Sequence, residues 1–159
     1  MQIRDAIPAD AAEACAVLRR SIIELCLADH HNDPAILARW LSNKTPEIVA
    51  SWIVAPRSSM LLAVEGAAIL GVGAVTDDGE ITLNYVSPTA RFRGVSRAVL
   101  SALEARAVER GNAGCRLIST ETARRFYRSA GYVEDGPPQH KFGSASSIPM
   151  SRRFSNRAD

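Results

Sequence analysis

A loop with three arginines and a glycine, between a predicted strand and a predicted helix, holds the residue types that could bind a phosphate. It consists of Val86-Ser87-Pro88-Thr89-Ala90-Arg91-Phe92-Arg93-Gly94-Val95-Ser96-Arg97. The first amides of a helix lack partners within the helix and together carry about half a positive charge. A glycine lets a ligand approach the backbone closely, so the segment is a candidate anion site. The alternative, a turn with a solvated basic face, stays open on this segment alone.

Tyr127 is a candidate proton donor on the next predicted helix. It lies on an apolar face with Ala123, Phe126 and Ala130, where a tyrosine is usually part of the core. Its hydroxyl is neutral at pH 7 and can therefore donate a proton in a reaction. We expect the ring to be buried whether or not the hydroxyl takes part in catalysis.

Two adjacent histidines, His30 and His31, lie between the first two predicted helices, flanked by Asp29 and Asp33. An imidazole is suited to removing a proton near pH 7. A solvated polar loop is the alternative for this segment. Adjacent histidines point in different directions, which argues against a metal site, and we predict none.

The composition limits the class of protein. The chain has 159 residues, of which 47% are hydrophobic, and a net charge of +2, which is typical of one globular domain over residues 1–159. Three scattered cysteines without a CxxC pair favour reduced thiols over disulfides or zinc ligands. No apolar run is long enough for a membrane span, and the first residues resemble no secretory signal, so we expect a cytoplasmic protein without membrane contact.

The order of predicted elements places the loop and the tyrosine within one sheet. A first strand at 2–5 is followed by helices that begin near Pro8, Pro34 and Thr45. A β-meander then covers residues 60–86, with a hairpin at Asp77-Asp78-Gly79. Next come a helix before Gly111, a strand at 116–119, a helix at 121–130 and the final strands. This order predicts an α+β fold with a mixed, mostly antiparallel central sheet and helices on both faces.

Two motifs in this order carry a family resemblance. Arg91-x-x-Gly94-x-Ser96, with Ala123-x-x-Phe126-Tyr127-x-x-x-Gly131-Tyr132 about thirty residues later, resembles the GNAT-type N-acetyltransferase superfamily, whose loop pattern is (Q/R)xxGx(G/A). The resemblance covers residues 83–133 closely and the whole chain in outline. Ser96 stands where the family prefers Gly or Ala, and Thr120 stands where many members have Asn.

The resemblance implies acetyl-CoA as the co-substrate. The Val86 backbone would bind the pantetheine arm, the amides from Phe92 to Arg97 would hold the pyrophosphate, and Tyr127 would protonate the departing thiolate. The implied cofactor residues are Val86, Arg91, Phe92, Arg93, Gly94, Val95, Ser96, Arg97 and Thr120.

The resemblance further implies direct transfer of an acetyl group to a primary amine of a small molecule or peptide. Glu80 is a candidate general base because the family often has a carboxylate on this strand. His30 is a second candidate because the family forms its acceptor pocket between the first two helices. The acidic balance of residues 1–90, with six Lys or Arg against eleven Asp or Glu, leads us to expect that Asp29 or Asp33 contributes negative charge there. The sides of the strand to which Asn84 and Tyr85 point stay open, since a bulge would change the alternation.

Two other functions are considered. A GNAT-like domain could bind acyl-CoA as a sensor without catalysis. Residues 91–128, with nine arginines and three glutamates, could instead bind nucleic acid. Little interleaving of basic and aromatic residues makes nucleic acid the weaker hypothesis. The sequence identifies neither the acceptor amine nor the oligomeric state, and it is compatible with a homodimer.

Overall fold

A central β-sheet organises the chain in the computed structural model, which describes residues 1–142 and 145–155. The strands are β1 (Gln2–Asp5), β2 (Ser58–Glu65), β3 (Ala68–Thr76), β4 (Glu80–Val86), β5 (Gly114–Ser119), β6 (Val133–Glu134), β7 (Gln139–Phe142) and β8 (Ala145–Arg153). The helices are α1 (Ala11–Leu25), α2 (Leu27–His30), α3 (Pro34–Leu41), α4 (Pro46–Ile53), α5 (Val95–Glu109) and α6 (Arg124–Ser129).

The sheet is mixed, with the order β1-β2-β3-β4-β5-β8-β6, and β7 pairs with β8. The β4–β5 pair is parallel, whereas the other described pairs are antiparallel. A parallel pair needs a crossover, which here is α5. The predicted fold class, a mixed and mostly antiparallel sheet, is confirmed.

Two apolar cores lie on opposite faces of the sheet. On one face, residues of α5 and α6 such as Val99 and Tyr127 pack in one cluster with Leu61 of β2. On the other face, Leu18 of α1 and Val49 of α4 belong to a cluster with Leu62 of β2. Successive strand residues point to opposite faces, so β2 and β3 are buried on both sides. The predicted helices on both faces are therefore confirmed.

Two glycines of β3 bring α5 unusually close to the sheet. A Cβ atom added to Gly71 would lie 2.8 Å from Cγ1 of Val95, and one added to Gly73 would lie 2.5 Å from Cγ1 of Val99. Neither distance is compatible with ordinary van der Waals contact, so a side chain at either position would displace the helix. Because Gly71 and Gly73 have no side chains, Val95 and Val99 of α5 can pack directly against the backbone of β3.

The helix boundaries follow the capping signals closely. Thr45 caps α4, since its Oγ1 accepts a hydrogen bond from the Ile48 amide at 3.2 Å, and Pro46 is the first helical residue. The helix predicted over 121–130 begins only at Arg124, because residues 121–123 form a turn. No helix among the described residues is long and apolar enough to cross a membrane.

The segment between α1 and α3 differs from the expected polar loop. It contains the short helix α2, in which Asp29 and His30 are buried. A four-residue helix has too few positions to show a helical period in the sequence.

Candidate active site

A cleft opens where β4 and β5 separate. Their parallel pairing is limited to Glu80 with Arg116 and Ile81 with Leu117, although β4 continues to Val86 and β5 to Ser119. The carboxyl ends of the two strands therefore diverge. Residues of α1, the end of β4, the loop before α5 and the segment around α6 line a cleft of about 460 Å³ at this point.

The loop before α5 forms one end of this cleft, which we call the phosphate end. Gly94 precedes the helix with a φ of 77°, a left-handed conformation that favours glycine. A Cβ atom added to Gly94 would meet nothing within 4 Å, so the backbone is open at this position. The next amides begin α5 and have no partners one turn earlier in the helix. This arrangement suits an anionic group.

Most of the predicted cofactor residues meet at the cleft. The lining includes Val86, Arg91, Phe92, Gly94, Val95, Ser96, Arg97 and Thr120. Arg93 is not part of it, and its guanidinium donates to Oε2 of Glu65, the last residue of β2, at 2.7 Å. Thr120 uses its hydroxyl within the chain, where Oγ1 accepts from the Ala123 amide at 3.1 Å.

Arg97 connects the two helices that border the cleft. Its Nη2 donates to Oγ of Ser129 at 3.1 Å, and its guanidinium carbon lies 5.7 Å from the centre of the Phe126 ring. Both contacts are with α6 or its end. The positive charge is thereby held at the phosphate end while it keeps α5 and α6 together.

Tyr127 lies in the wall of the cleft and is 6% exposed, so the predicted burial is confirmed. Burial raises the pKa of its hydroxyl to about 12, and a hydrogen bond with the Asn84 side chain opposes this shift. The hydroxyl is therefore protonated throughout the neutral range. The Phe126 and Tyr132 rings pack edge to face at centroid distances of 5.1 and 5.6 Å and hold the ring in place.

A bulge in β4 changes the alternation of side chains before Asn84 and Tyr85. Ala74 pairs with Leu83 whereas Val75 pairs with Ile81, so Thr82 is the extra residue. Both Asn84 and Tyr85 line the cleft. Oδ1 of Asn84 is buried and has no hydrogen-bond partner within the described part of the chain.

The part of the cleft that α1, its end and β4 contribute, with Ser21, Leu25, Cys26 and Tyr85, is what we call the acceptor end. Burial raises the pKa of the Cys26 thiol to about 12, and the nearby charge of Asp29 adds to this effect. Burial likewise raises the pKa of Tyr85 well above its usual value. Both groups are neutral at physiological pH.

His30 does not face the cleft. Its ring is fully buried, with Nε2 2.9 Å from the carbonyl oxygen of Ile22, while Nδ1 accepts a hydrogen bond from the Asn32 amide at 3.0 Å. The contact with the carbonyl requires a proton on Nε2, and the contact with the amide requires a lone pair on Nδ1. Neither nitrogen of this ring is left for a substrate, which argues against the predicted role of His30 as a base.

The aspartates beside His30 are also engaged within the protein. Asp29 accepts from the Glu121 amide at 2.7 Å and the Thr122 amide at 3.1 Å, and it also accepts from the Thr122 hydroxyl. Asp33 caps α3, since its Oδ1 accepts from the Ala35 amide at 2.8 Å. Both carboxylates are thus held by amides of the chain and neither lines the cleft, although the charge of Asp29 is close enough to raise the pKa of Cys26.

Glu80 lies at the beginning of β4, whereas the cleft opens at the end of that strand. Its Oε2 is 3.6 Å from Nη2 of Arg116, and it is absent from the residues that line the cleft. Glu80 therefore lies outside the cleft that Tyr127 lines, which argues against its predicted role as the base.

Sequence reasoning missed the residues of the acceptor end that come from α1 and its end. Ser21, Leu25 and Cys26 show only a helical pattern in the sequence, and no motif marks them. The close spacing of a thiol and a serine at the end of a long helix is too common to have identified them.

Known proteins share this architecture. The solved structures similar to this chain include a GCN5-related N-acetyltransferase from Rhodopseudomonas palustris, with 22% identity, a TM-score of 0.84 and coverage of 96% of this chain and 95% of that chain. PaiA N-acetyltransferase from Thermoplasma acidophilum, solved with coenzyme A, has 18% identity, a TM-score of 0.80 and coverage of 96% and 98%. YncA from Salmonella typhimurium, solved with acetyl-CoA, has 20% identity, a TM-score of 0.75 and coverage of 99% and 96%. No curated protein matches the chain significantly.

The sequence itself matches the acetyltransferase (GNAT) domain over residues 27–154, which is most of the chain. The matched region contains the loop before α5, the divergent ends of β4 and β5, and α6 with Tyr127. The resemblance in the two motifs and the agreement of the folds point the same way. The chain therefore belongs to the GNAT acetyltransferase family.

Proposed function

We propose that the protein transfers an acetyl group from acetyl-CoA to a primary amine of a small molecule or peptide, by direct attack in a ternary complex. The observation that carries this proposal is the pairing, in one cleft, of an open glycine backbone at a helix start with a buried, protonated tyrosine. The CoA and acetyl-CoA in the Thermoplasma and Salmonella proteins support the choice of co-substrate.

The phosphate end fits the pyrophosphate of acetyl-CoA. Amides from Gly94 to Arg97 supply backbone donors at the start of a 15-residue helix, and Arg91 and Arg97 add two positive side chains. The Val86 backbone, at the gap between the divergent strands, would bind the pantetheine arm. The thioester would then lie towards Tyr127.

Acetyl transfer to a neutral amine balances without an external oxidant, reductant or metal ion. The amine nitrogen attacks the carbonyl carbon, a C–N bond forms and the C–S bond breaks. Tyr127 gives its hydroxyl proton to the departing sulfur, and the nitrogen loses a proton that restores the tyrosine through water. The products are the N-acetyl amide and CoA with a free thiol.

The amine must lose its proton before the attack. An alkylamine with a pKa of about 10.4 is only about 0.04% neutral at pH 7. Because Glu80 and His30 are engaged elsewhere, we infer that the cleft takes up the neutral amine from solution, so that no side chain acts as the base.

The test of the proposal compares two glycine substitutions. Gly94→Val places a side chain on the open backbone of the phosphate end, and we expect it to weaken CoA binding by about 10- to 100-fold through loss of one or two amide contacts with an anion. Gly111→Val is the matched control, because Gly111 has a φ of 88°, also with nothing within 4 Å of an added Cβ, at the far end of α5.

Both variants carry the same backbone strain, so thermal melting should show a similar loss of stability, while calorimetric titration with CoA should separate them. Equal CoA affinity in Gly94→Val and the parent would contradict the proposed site. CoA binding without thiol release on a panel of primary amines would instead favour an acyl-CoA sensor without catalysis.

A further inference from the structure

The charge of the cleft is divided between its two ends. Arg91 and Arg97 are the charged side chains among the described residues that line it, and both belong to the phosphate end. At the acceptor end, Ser21 and Leu25 carry no charge, and burial holds Cys26 and Tyr85 in their neutral forms. Among the described residues that line the acceptor end, none is a carboxylate that could contact a bound ammonium group.

The carboxylate close to this end is already occupied. Asp29 influences the pKa of both Cys26 and Tyr85, so it lies within electrostatic reach of the acceptor end. Its two oxygens accept three hydrogen bonds from Glu121 and Thr122, in the turn before α6. Asp29 does not itself line the cleft, so a ligand ammonium could contact its carboxylate only if the turn at Glu121 and Thr122 moved.

Other carboxylates near the cleft residues are also engaged, and Oε1 of Glu121 is 3.4 Å from Nη1 of Arg124. Asp33 caps α3, and Glu24 forms an exposed ion pair with Arg20 at 3.4 Å. Residues 139–142 of β7 and 145–147 of β8 contain no Asp or Glu.

Apolar side chains support the acceptor end from behind. Ile22, Cys26 and Trp40 form a buried cluster, and Tyr85 packs against it together with leucines of α3. The wall of this end therefore offers aliphatic and aromatic surface, with the hydroxyl groups of Ser21 and Tyr85 as its polar groups.

We propose, on the basis of the function proposed above, that the acceptor is an amine on an apolar or aromatic body, bound as its neutral form, and not a polyamine. A second ammonium group that enters this end would lose its hydration without gaining an anionic partner. An arylalkylamine satisfies both conditions, because its ring covers the apolar wall and its single amine becomes the attacking group.

The experiment uses two bisubstrate analogues and needs no turnover. In each, CoA sulfur is joined through a CH2CO group to an amine, which is 2-phenylethylamine in one and 1,4-diaminobutane in the other. The second analogue keeps a free ammonium group of similar reach. We expect the phenylethyl analogue to bind about 10- to 100-fold more tightly by calorimetry.

Two substitutions on α1 sharpen the measurement. Leu25→Glu places a carboxylate in the wall of the acceptor end and should reduce the preference about tenfold, since it supplies the missing partner. Ile23→Glu is the control, because Ile23 is 43% exposed and does not line the cleft, and the preference should not change. Melting curves establish that both variants fold.

The outcomes test the inference on the acceptor and the proposed acetyl transfer separately. Equal or tighter binding of the aminobutyl analogue overturns the inference on the acceptor and leaves acetyl transfer intact. Failure of CoA itself and of both analogues to bind overturns the proposed function. A preference for the phenyl ring that Ile23→Glu reduces as strongly as Leu25→Glu would also overturn the inference, because it would not arise in the cleft.

Discussion

The two ends of the cleft differ in the charge of their side chains. The phosphate end combines backbone amides with two arginines and is open to solvent, as the 92% exposure of Phe92 illustrates. The acceptor end consists of neutral side chains against a buried apolar cluster. One end is suited to a ligand whose charge is permanent, and the other to a ligand that must give up its charge before it reacts.

This difference separates affinity from reactivity. In the proposed complex, Arg91 and Arg97 would contact the phosphates and not the reacting atoms, so their charge would strengthen binding without changing the reacting groups. At the acceptor end, a neutral and dehydrated environment disfavours the ammonium form of an amine, which cannot attack. The comparison predicts that substitutions at the two ends affect different kinetic parameters.

The largest effect is expected at Tyr127, which lines the same cleft as the residues of both ends. Tyr127→Phe keeps the ring and removes the hydroxyl that would protonate the thiolate. We expect turnover to fall by about 10²- to 10⁴-fold, with little change in CoA affinity. Steady-state kinetics with release of free thiol measures the first, and calorimetry measures the second.

Tyr132→Phe is the matched control for that substitution. Its hydroxyl is also buried but donates to Oε2 of Glu104 at 3.0 Å, away from the cleft. Loss of this bond should cost about 0.5–1.5 kcal/mol of unfolding free energy and leave turnover unchanged. If both variants lose turnover equally, the effect comes from packing of the aromatic residues, and Tyr127 has no role as a proton donor.

A smaller effect is expected from pH. If the acceptor end takes up the neutral amine, kcat/KM should rise about tenfold per pH unit below the pKa of the amine, which is about 100-fold between pH 7 and 9. No fall should follow up to about pH 10, because the Tyr127 hydroxyl, with its pKa raised to about 12, stays protonated.

Two amines of different pKa provide the control. The pH at which kcat/KM levels off should move with the pKa of the amine. A plateau that begins near pH 7 for both amines would instead identify an enzyme group as the base and contradict uptake of the neutral form.

The smallest effect distinguishes two arginines of the phosphate end. Arg97 lines the cleft, whereas Arg93 is turned towards Glu65. We expect Arg97→Ala to weaken CoA binding about 3- to 10-fold at low ionic strength, and Arg93→Ala to weaken it less than about twofold, since exposed charges act weakly through solvent. Equal losses would mean that the whole positive loop attracts CoA without defined contacts.

The phosphate end could be predicted from sequence because its parts are close together in the chain. Arg91, Gly94 and Ser96 lie within six residues, and the hairpin at Asp77-Asp78-Gly79 and the amphipathic α5 place them between a strand and a helix. Local backbone requirements, such as the left-handed Gly94, leave a mark on local sequence.

The acceptor end could not be predicted in the same way. Cys26 and Tyr85 meet there although 59 positions separate them, and His30 and Asp29 looked like members of a polar loop. Their burial depends on partners at Ile22, Glu121 and Thr122, which only the folded chain brings together. Whether a polar residue binds a substrate or a backbone amide is decided by such tertiary contacts.

The contact between Asp29 and the turn before α6 has a consequence for the motions of the protein. Amide hydrogens in a short turn ordinarily exchange rapidly with water, but those of Glu121 and Thr122 are bound to a buried carboxylate of α2. Their exchange requires α2 to move away from the turn. The exchange rates of these two hydrogens therefore measure how often α2 separates from the turn. The turn that leads to Tyr127 is thus stabilised by a helix more than ninety residues earlier in the chain.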